Sequence, residues 1–319
     1  MAVPAPTKAL RVLLVTGMSG LEAQLRKRSP LGVAWLRTKT DPDTAQALAQ
    51  AEVVVADPPL VAYHLEGAPH LKWLQATYAG VDSLLRAGAP RDFVLTRVEG
   101  AFGPMMAEYT LGHILARERH LLGLSRWQES HQWQPSGYRV LSDLTLGLRG
   151  VGSIGQAVAA VARGFGMTVW GFRRGSGRVP NVDRVFTPDQ LTEFLAGADY
   201  LVNILPSTPA TRGLLSGEVF KACRPGTVLI NIGRGDIVDE HSLVQALEAG
   251  WLAGAVLDVF DAEPLPKDSP LWDLPGVTIT PHVAALGAAG AIAEIVGANL
   301  ARYLAGEPLR QVVDWERGY

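Results

Sequence analysis

Short apolar runs alternate with amphipathic stretches along almost the whole chain. The runs at 11–15, 33–36, 52–56, 72–76 and 94–96 predict a first set of strands, and those at 145–149, 168–172, 200–205, 227–231, 255–259 and 277–280 a second. Stretches with apolar residues at helical spacing fall between most of them. That alternation is the mark of parallel sheets covered by helices. Eleven strands are too many for one simple doubly wound sheet, and they divide near residue 100. There the pattern changes to one long predicted helix, PMMAEYTLGHILARERHLLG (104–123), opened by Pro104. A polar, tryptophan-bearing stretch follows, RWQESHQWQPSGYR, and a second long, alanine-rich helix is predicted over 284–305. The chain is therefore expected to begin in one α/β domain, build a second, and return along the last helix. The expected boundaries are 1–103 with 283–319 for the first domain and 104–282 for the second.

Composition narrows the class. The 319 residues are 48% hydrophobic and 19% charged with a formal net charge of -2, which suits a globular protein and gives no reason to expect nucleic acid or an anionic membrane as partner. One cysteine, Cys223, leaves no internal disulfide and no CxxC motif. The start, MAVPAPTKALRVLLVTG, does not read as a leader: Lys8 and Arg11 interrupt it, and VLLV is too short for a spanning segment. A soluble, cytoplasmic protein is expected. His113 and His120 stand seven apart, not at the spacing of a metal pair, so no metal site is expected.

Gly150-Val151-Gly152-Ser153-Ile154-Gly155 is a GxGxxG run that ends a predicted strand and opens the helix QAVAAVARGFG. In that setting the first glycine makes a tight turn and the second admits a pyrophosphate against the backbone. The third lets helix and strand touch, while the helix start offers amides to the anion. Arg149 is an oddity, because an apolar residue is usual before the first glycine. About 20 residues on, at the end of the next strand, an acid commonly holds the ribose 2′-hydroxyl. Here Arg173 and Arg174 stand in its place, in GFRRGSGR (171–178), with Arg178 as a weaker third candidate. An arginine pair by itself most often lies solvated on a surface. After this fingerprint it predicts a clamp for a 2′-phosphate, and NADPH in preference to NADH.

Three polar residues follow later strands: Arg234 in NIGRGD, Glu263 in DAEP and His282 in TPH. In open parallel sheets, ligands bind beyond the carboxyl ends of the strands. A guanidinium there can hold a carboxylate or keto oxygen by paired hydrogen bonds. An imidazole can give a proton to a carbonyl oxygen as hydride arrives at carbon, and a neighbouring carboxylate favours the imidazolium. Asp258, inside a strand, reads either as a buried supporting group or as a partner of the nicotinamide or of His282. Trp127 and Trp133 read as aromatic packing, as a cleft mouth or as cover for a partner subunit. Trp272 reads as a specificity or contact residue.

These segments together resemble the D-isomer-specific 2-hydroxyacid dehydrogenases over nearly the whole chain. The resemblance is carried by YAGVD (78–82), MAEYTLGHILA (106–116), GVGSIGQAVA (150–159), LPSTPATRGLL (205–215), NIGRGDIVDEHSLVQAL (231–247), AVLDVFDAEPLP (255–266) and TPHVAA (280–285). Glu263 separates the chain from the similar formate dehydrogenase branch, which carries glutamine there. EPLPKDSPLW, TPHVAALG and the end VVDWERGY are most similar to the family's reductases of glyoxylate and hydroxypyruvate. The resemblance implies two Rossmann-like domains with doubly wound parallel sheets, the substrate domain formed by both chain ends, and a homodimer clasped through the cofactor domain. It implies Arg234, Glu263 and His282 as the catalytic residues. The amides of Ala79, Gly80 and Val81, with Arg234, would bind the substrate; an AG turn after a strand can present free amides of this kind. The cofactor would meet Gly150, Gly152, Ser153, Ile154, Gly155, Arg173, Arg174, Leu205, Pro206, Thr211, Ile232, Asp258 and His282, with the loop from Pro206 through Thr208 against the adenosine. The expected activity is NADPH-dependent reduction of a small 2-keto acid to the D-2-hydroxy acid. The rival expectation is a dinucleotide-sensing binding protein like the family's co-repressors. Against it stand the reductase-like VDWERGY and the lack of the long terminal extensions such co-repressors carry.

Overall fold

The computed structural model describes residues 9–38, 41–85 and 88–318. Residues 1–8 of the stretch read against a leader, and the final Tyr319, lie outside them. Two compact units result: one from the described residues through Ala101 and from Gly287 onward, the other Phe102–Leu286.

The first unit holds five parallel strands, β1 (Leu10–Val15), β2 (Val33–Arg37), β3 (Val53–Ala56), β4 (Trp73–Ala76) and β5 (Val94–Thr96), in the order β2-β1-β3-β4-β5. The central strands β3 and β4, VVVA and WLQA, are buried at every position, as expected where helices cover both faces of a parallel sheet. Hydrogen bonds tie the end of the chain to this sheet. Asn299, buried in the helix Ala289–Leu304, donates from Nδ2 to Gln75 Oε1 at 2.9 Å, and Val313 N donates to Leu95 O at 2.8 Å.

The second unit holds seven parallel strands: β6 (Thr145–Arg149), β7 (Thr168–Phe172), β8 (Arg184–Phe186), β9 (Tyr200–Asn203), β10 (Val228–Asn231), β11 (Gly254–Leu257) and β12 (Val277–Ile279). Their order is β12-β11-β10-β9-β6-β7-β8, so the direction of strand addition reverses between β6 and β9. Such a reversal opens a crevice at the carboxyl ends of the strands. Leu146 and Leu148 of β6 face a core shared with Val158 and Ala159, while the opposite face packs Phe186, Phe194, Leu201 and Leu229.

Three expectations are corrected. β8 was not foreseen: it is a three-residue edge strand in which Phe186 alone is fully buried, too short to carry an apolar run. The long helix does not run through 104–123. It spans Gly103–Glu118 and gives way to a second helix, Leu121–Glu129, because His120 adopts a left-handed φ of 52°. The last helix begins at Ala289 instead of 284, since the amides of Val283 and Ala284 are bonded to Asp258 and Gly287 turns with φ 86°.

Candidate active site

The glycine run forms the turn its residues suggest. Gly150 has φ 106°, and a Cβ on Gly155 would stand 2.2 Å from the Gly150 carbonyl oxygen, so only glycine lets the helix Ser153–Gly164 start against the strand. Gly152 is the N-cap and no side chain caps it, so Ser153, Ile154 and Gly155 open the helix with uncapped amides. Arg173 and Arg174 follow β7 directly and are exposed. Arg178 lines a cleft of about 890 Å³ with Arg163, from the last turn of the helix Ser153–Gly164, and Asp183, a cleft that neither Arg173 nor Arg174 lines. Arg149 is buried at 1% exposure, with its guanidinium 5.3 Å from the centre of the Phe172 ring. Its Nε and Nη1 have no partner among the described residues, and burial pulls its pKa down to about 10.

After β9, the loop holding Leu205 and Pro206 is closed by Thr211, whose Oγ1 donates to Pro206 O at 2.7 Å and accepts from Thr208 N at 2.8 Å. Ile232, at the turn after β10, is buried.

Arg234, Glu263 and His282 arise beyond the ends of three neighbouring strands, β10, β11 and β12. Close packing draws the segments together. A Cβ on Gly235 would lie 1.8 Å from the Phe260 carbonyl carbon, so the Arg234 turn presses on the backbone that leads to Glu263. Glu263 Oε1 accepts from Phe260 N at 3.0 Å, which aims Oε2 at His282 Nδ1, 2.8 Å away. The His282 side chain remains 55% exposed, so with Nδ1 occupied its Nε2 is the nitrogen open to a ligand. Asp258 is 1% exposed. It accepts from Thr280 Oγ1 at 2.6 Å, Val283 N at 2.8 Å and Ala284 N at 2.9 Å, and its carbonyl accepts from His282 N at 2.9 Å. Of the two roles read for Asp258, these bonds supply the supporting one.

In the first unit, the turn after β4 carries Ala79, Gly80 and Val81. Their amides donate to no acceptor among the described residues. Asp57, just past β3, holds the base of this turn. It accepts from Thr16 Oγ1 and Gly17 N, both at 2.8 Å, and from Thr77 Oγ1.

Asp57 and Thr77 brace the turn that carries Ala79, Gly80 and Val81, and Tyr109 and Thr280 join the hydrogen bonds around Asp258, yet the sequence singled out none of the four. Asp57 and Thr77 offered one signal, a polar residue just past a strand; Tyr109, inside a helix, offered none. Trp272 donates to Pro266 O at 2.8 Å and so braces its own loop, while Trp133 is 97% exposed.

A unit with a dinucleotide-type glycine turn and a carboxylate-backed imidazole at its strand ends defines an oxidoreductase of the nucleotide-dependent dehydrogenase class. Residues 111–284 match the model of the D-isomer specific 2-hydroxyacid dehydrogenase NAD binding domain. Glyoxylate/hydroxypyruvate reductase A of Serratia proteamaculans (strain 568) is 36% identical over 256 residues, 78% of this chain and 82% of that protein. The crystal structure of a D-isomer specific 2-hydroxyacid dehydrogenase family protein from Aeromonas salmonicida subsp. salmonicida A449 superposes with a TM-score of 0.90 at 38% identity, covering 96% of this chain and 99% of that one. The NADPH-dependent glyoxylate/hydroxypyruvate reductase of Sinorhizobium meliloti, solved with NADP and sulfate, gives 0.86 at 30% identity, covering 98% of this chain and all of that one. The chain belongs to the D-isomer-specific 2-hydroxyacid dehydrogenase family.

Proposed function

We propose that the protein reduces a small 2-keto acid, such as glyoxylate or hydroxypyruvate, to the D-2-hydroxy acid, with NADPH preferred over NADH. The observation that carries this reading is the 2.8 Å Glu263–His282 pair, beside the Arg234 turn and in the same unit as the glycine fingerprint. The residues fit a dinucleotide: a Cβ on Gly155 would collide with the Gly150 carbonyl, Gly152 leaves its backbone open, and uncapped amides at Ser153 and Ile154 suit a pyrophosphate. Leu205, Pro206, Thr211 and Ile232 line its course, and Arg173 with Arg174 takes the 2′-phosphate. The NADP in the Sinorhizobium meliloti structure supports the same choice.

When bound, the reduced dinucleotide supplies hydride to the carbonyl carbon. Arg234 and the amides of Ala79, Gly80 and Val81 hold the keto acid through its oxygens. His282 gives the proton on Nε2 to the carbonyl oxygen and is reprotonated from solvent. Glu263 keeps Nδ1 protonated and the ring oriented. One hydride and one proton thereby add across the C=O bond.

No helix among the described residues is long and apolar enough to cross a membrane, and a cytoplasmic homodimer is proposed. The stretch around the helix Leu121–Glu129 buries no residue of that helix and exposes Leu121, Leu122, Leu124, Trp133 and Tyr138. An apolar surface of this kind suits a second copy of the chain, which light scattering would count.

The deciding experiment compares kcat/KM with NADPH and NADH in wild type, Arg173→Ala and Arg174→Ala, on a panel of keto acids. Loss of one charge-assisted bond should lower the NADPH preference roughly 10- to 100-fold, and less in high salt because both arginines are exposed. Equal use of both cofactors by wild type removes the clamp. Tight nucleotide binding without turnover of any keto acid would favour the sensor reading.

A further inference from the structure

We propose that Tyr109, on the helix Gly103–Glu118, is a positioning residue for His282 and acts through Thr280 and Asp258; this rests on the reading of His282 as the acid. The starting point is backbone strain. His282 sits at φ 53°, a left-handed conformation that is unfavourable for a non-glycine residue and that its surroundings must hold. Asp258 provides that enforcement. Its carbonyl accepts from His282 N, and its carboxylate accepts from Val283 N on one oxygen and Ala284 N on the other.

The chain of hydrogen bonds has one direction. Backbone N–H groups only donate, so Asp258 is the acceptor throughout, and Thr280 Oγ1, 2.6 Å from Asp258 Oδ1, spends its own proton there. The contact of Tyr109 Oη with Thr280 Oγ1, also 2.6 Å, must then use the phenol proton. Burial, the largest influence, pushes Tyr109 up to about 12, so the phenol keeps that proton at any working pH. The donor also stands on a rigid base. The His113 ring packs on Tyr109 with centroids 4.4 Å apart, and Ala107, Leu111 and Ile114 of the same helix are buried in the core beneath β6. Tyr109 therefore orders Thr280, Thr280 orders the Asp258 carboxylate, and that carboxylate sets the turn that aims the imidazole at Glu263.

The test uses the full-length enzyme. Tyr109→Phe keeps the ring and removes the donor. It should lower kcat for keto-acid reduction about tenfold, while the Kd for NADPH, read by tryptophan fluorescence, changes less than about twofold. Thr280→Ser should retain wild-type kcat, Thr280→Val should lose as much as Tyr109→Phe, and the double variant Tyr109→Phe/Thr280→Val should be no worse than Thr280→Val. In a His282→Ala background, Tyr109→Phe should cost nothing further, a result that loss of packing alone would not produce. The relay is overturned if Tyr109→Phe keeps full kcat, or if it lowers the residual rate of His282→Ala by the same factor as in wild type. If His282→Ala itself turns over normally, the acid assignment falls and the relay with it. If His282→Ala is crippled and Tyr109→Phe is not, the relay alone falls.

Discussion

Two buried aspartates stand directly past the last residue of a strand, Asp57 after β3 in the first unit and Asp258 after β11 in the second. They are 3% and 1% exposed, and each accepts from a threonine hydroxyl on a neighbouring strand end, with one backbone amide on Asp57 and two on Asp258. They serve different ends. Asp57 joins the chain past β1, through Thr16 and Gly17, to the chain past β4, through Thr77, and the turn that follows keeps the amides of Ala79, Gly80 and Val81 unengaged. Asp258 collects Thr280, Val283 and Ala284 from one turn, and engages every amide from His282 to Ala284 in holding an imidazole at a left-handed residue. The same side chain at the same point of a parallel sheet thus leaves donors free in one unit and immobilises an imidazole in the other. What differs is whether its partners come from two strands or from one turn.

The largest effect should come from emptying the turn that Asp258 holds. His282→Ala removes the proposed proton donor and should lower kcat by roughly 10²–10⁴, read in steady-state reduction of glyoxylate and hydroxypyruvate. A smaller loss within about twofold would mean that the proton comes from elsewhere.

Exchanging each aspartate for asparagine should separate the two units. In Asp258→Asn one oxygen becomes an NH₂ facing an N–H or O–H donor, an unmet bond costing about 1–3 kcal/mol. Held against the His282 turn, this should lower kcat roughly 10- to 100-fold and leave NADPH affinity unchanged. Asp57→Asn suffers the same mismatch, but against the loop with the free amides. It should raise KM for the keto acid about tenfold, with kcat less affected. If both variants change the same parameter, the two turns do not have separate roles.

The smallest expected change is that of Glu263→Gln. Its carboxamide has one oxygen for the two donors, Phe260 N and His282 Nδ1, that the carboxylate serves with two. Loss of one of these bonds should lower kcat by roughly threefold to tenfold with KM little changed. An unchanged kcat would show that Glu263 does not support the His282 ring.

Much of the site was legible because a few residue types admit few explanations. A GxGxxG run between strand and helix is one, since a Cβ on Gly155 would collide with the Gly150 carbonyl. Arginine, glutamate and histidine past three successive strands are another, because a parallel sheet brings such ends side by side whatever its loops do. Where the signal was weaker than the packing, the reading failed. β8 offers one fully buried residue and no run, and the helix expected to reach residue 123 breaks at His120, where the helical spacing of apolar residues gives no sign of the left-handed turn.

The sequence by itself determined the alternation of strands and helices, the glycine turn at 150–155, the arginine pair after β7 and the placing of Arg234, Glu263 and His282 past three strands. These follow from local periodicity and from side chains that chemistry makes hard to replace. Only the tertiary structure decided how those groups are held. The left-handed φ of His282 depends on a carboxylate 24 residues earlier, and the Tyr109–Thr280 hydrogen bond joins positions 171 residues apart. Tyrosine and threonine are common in helices and at strand ends, so nothing in their local sequence marks them. Their role comes from the distance between two oxygen atoms, which only the folded chain sets.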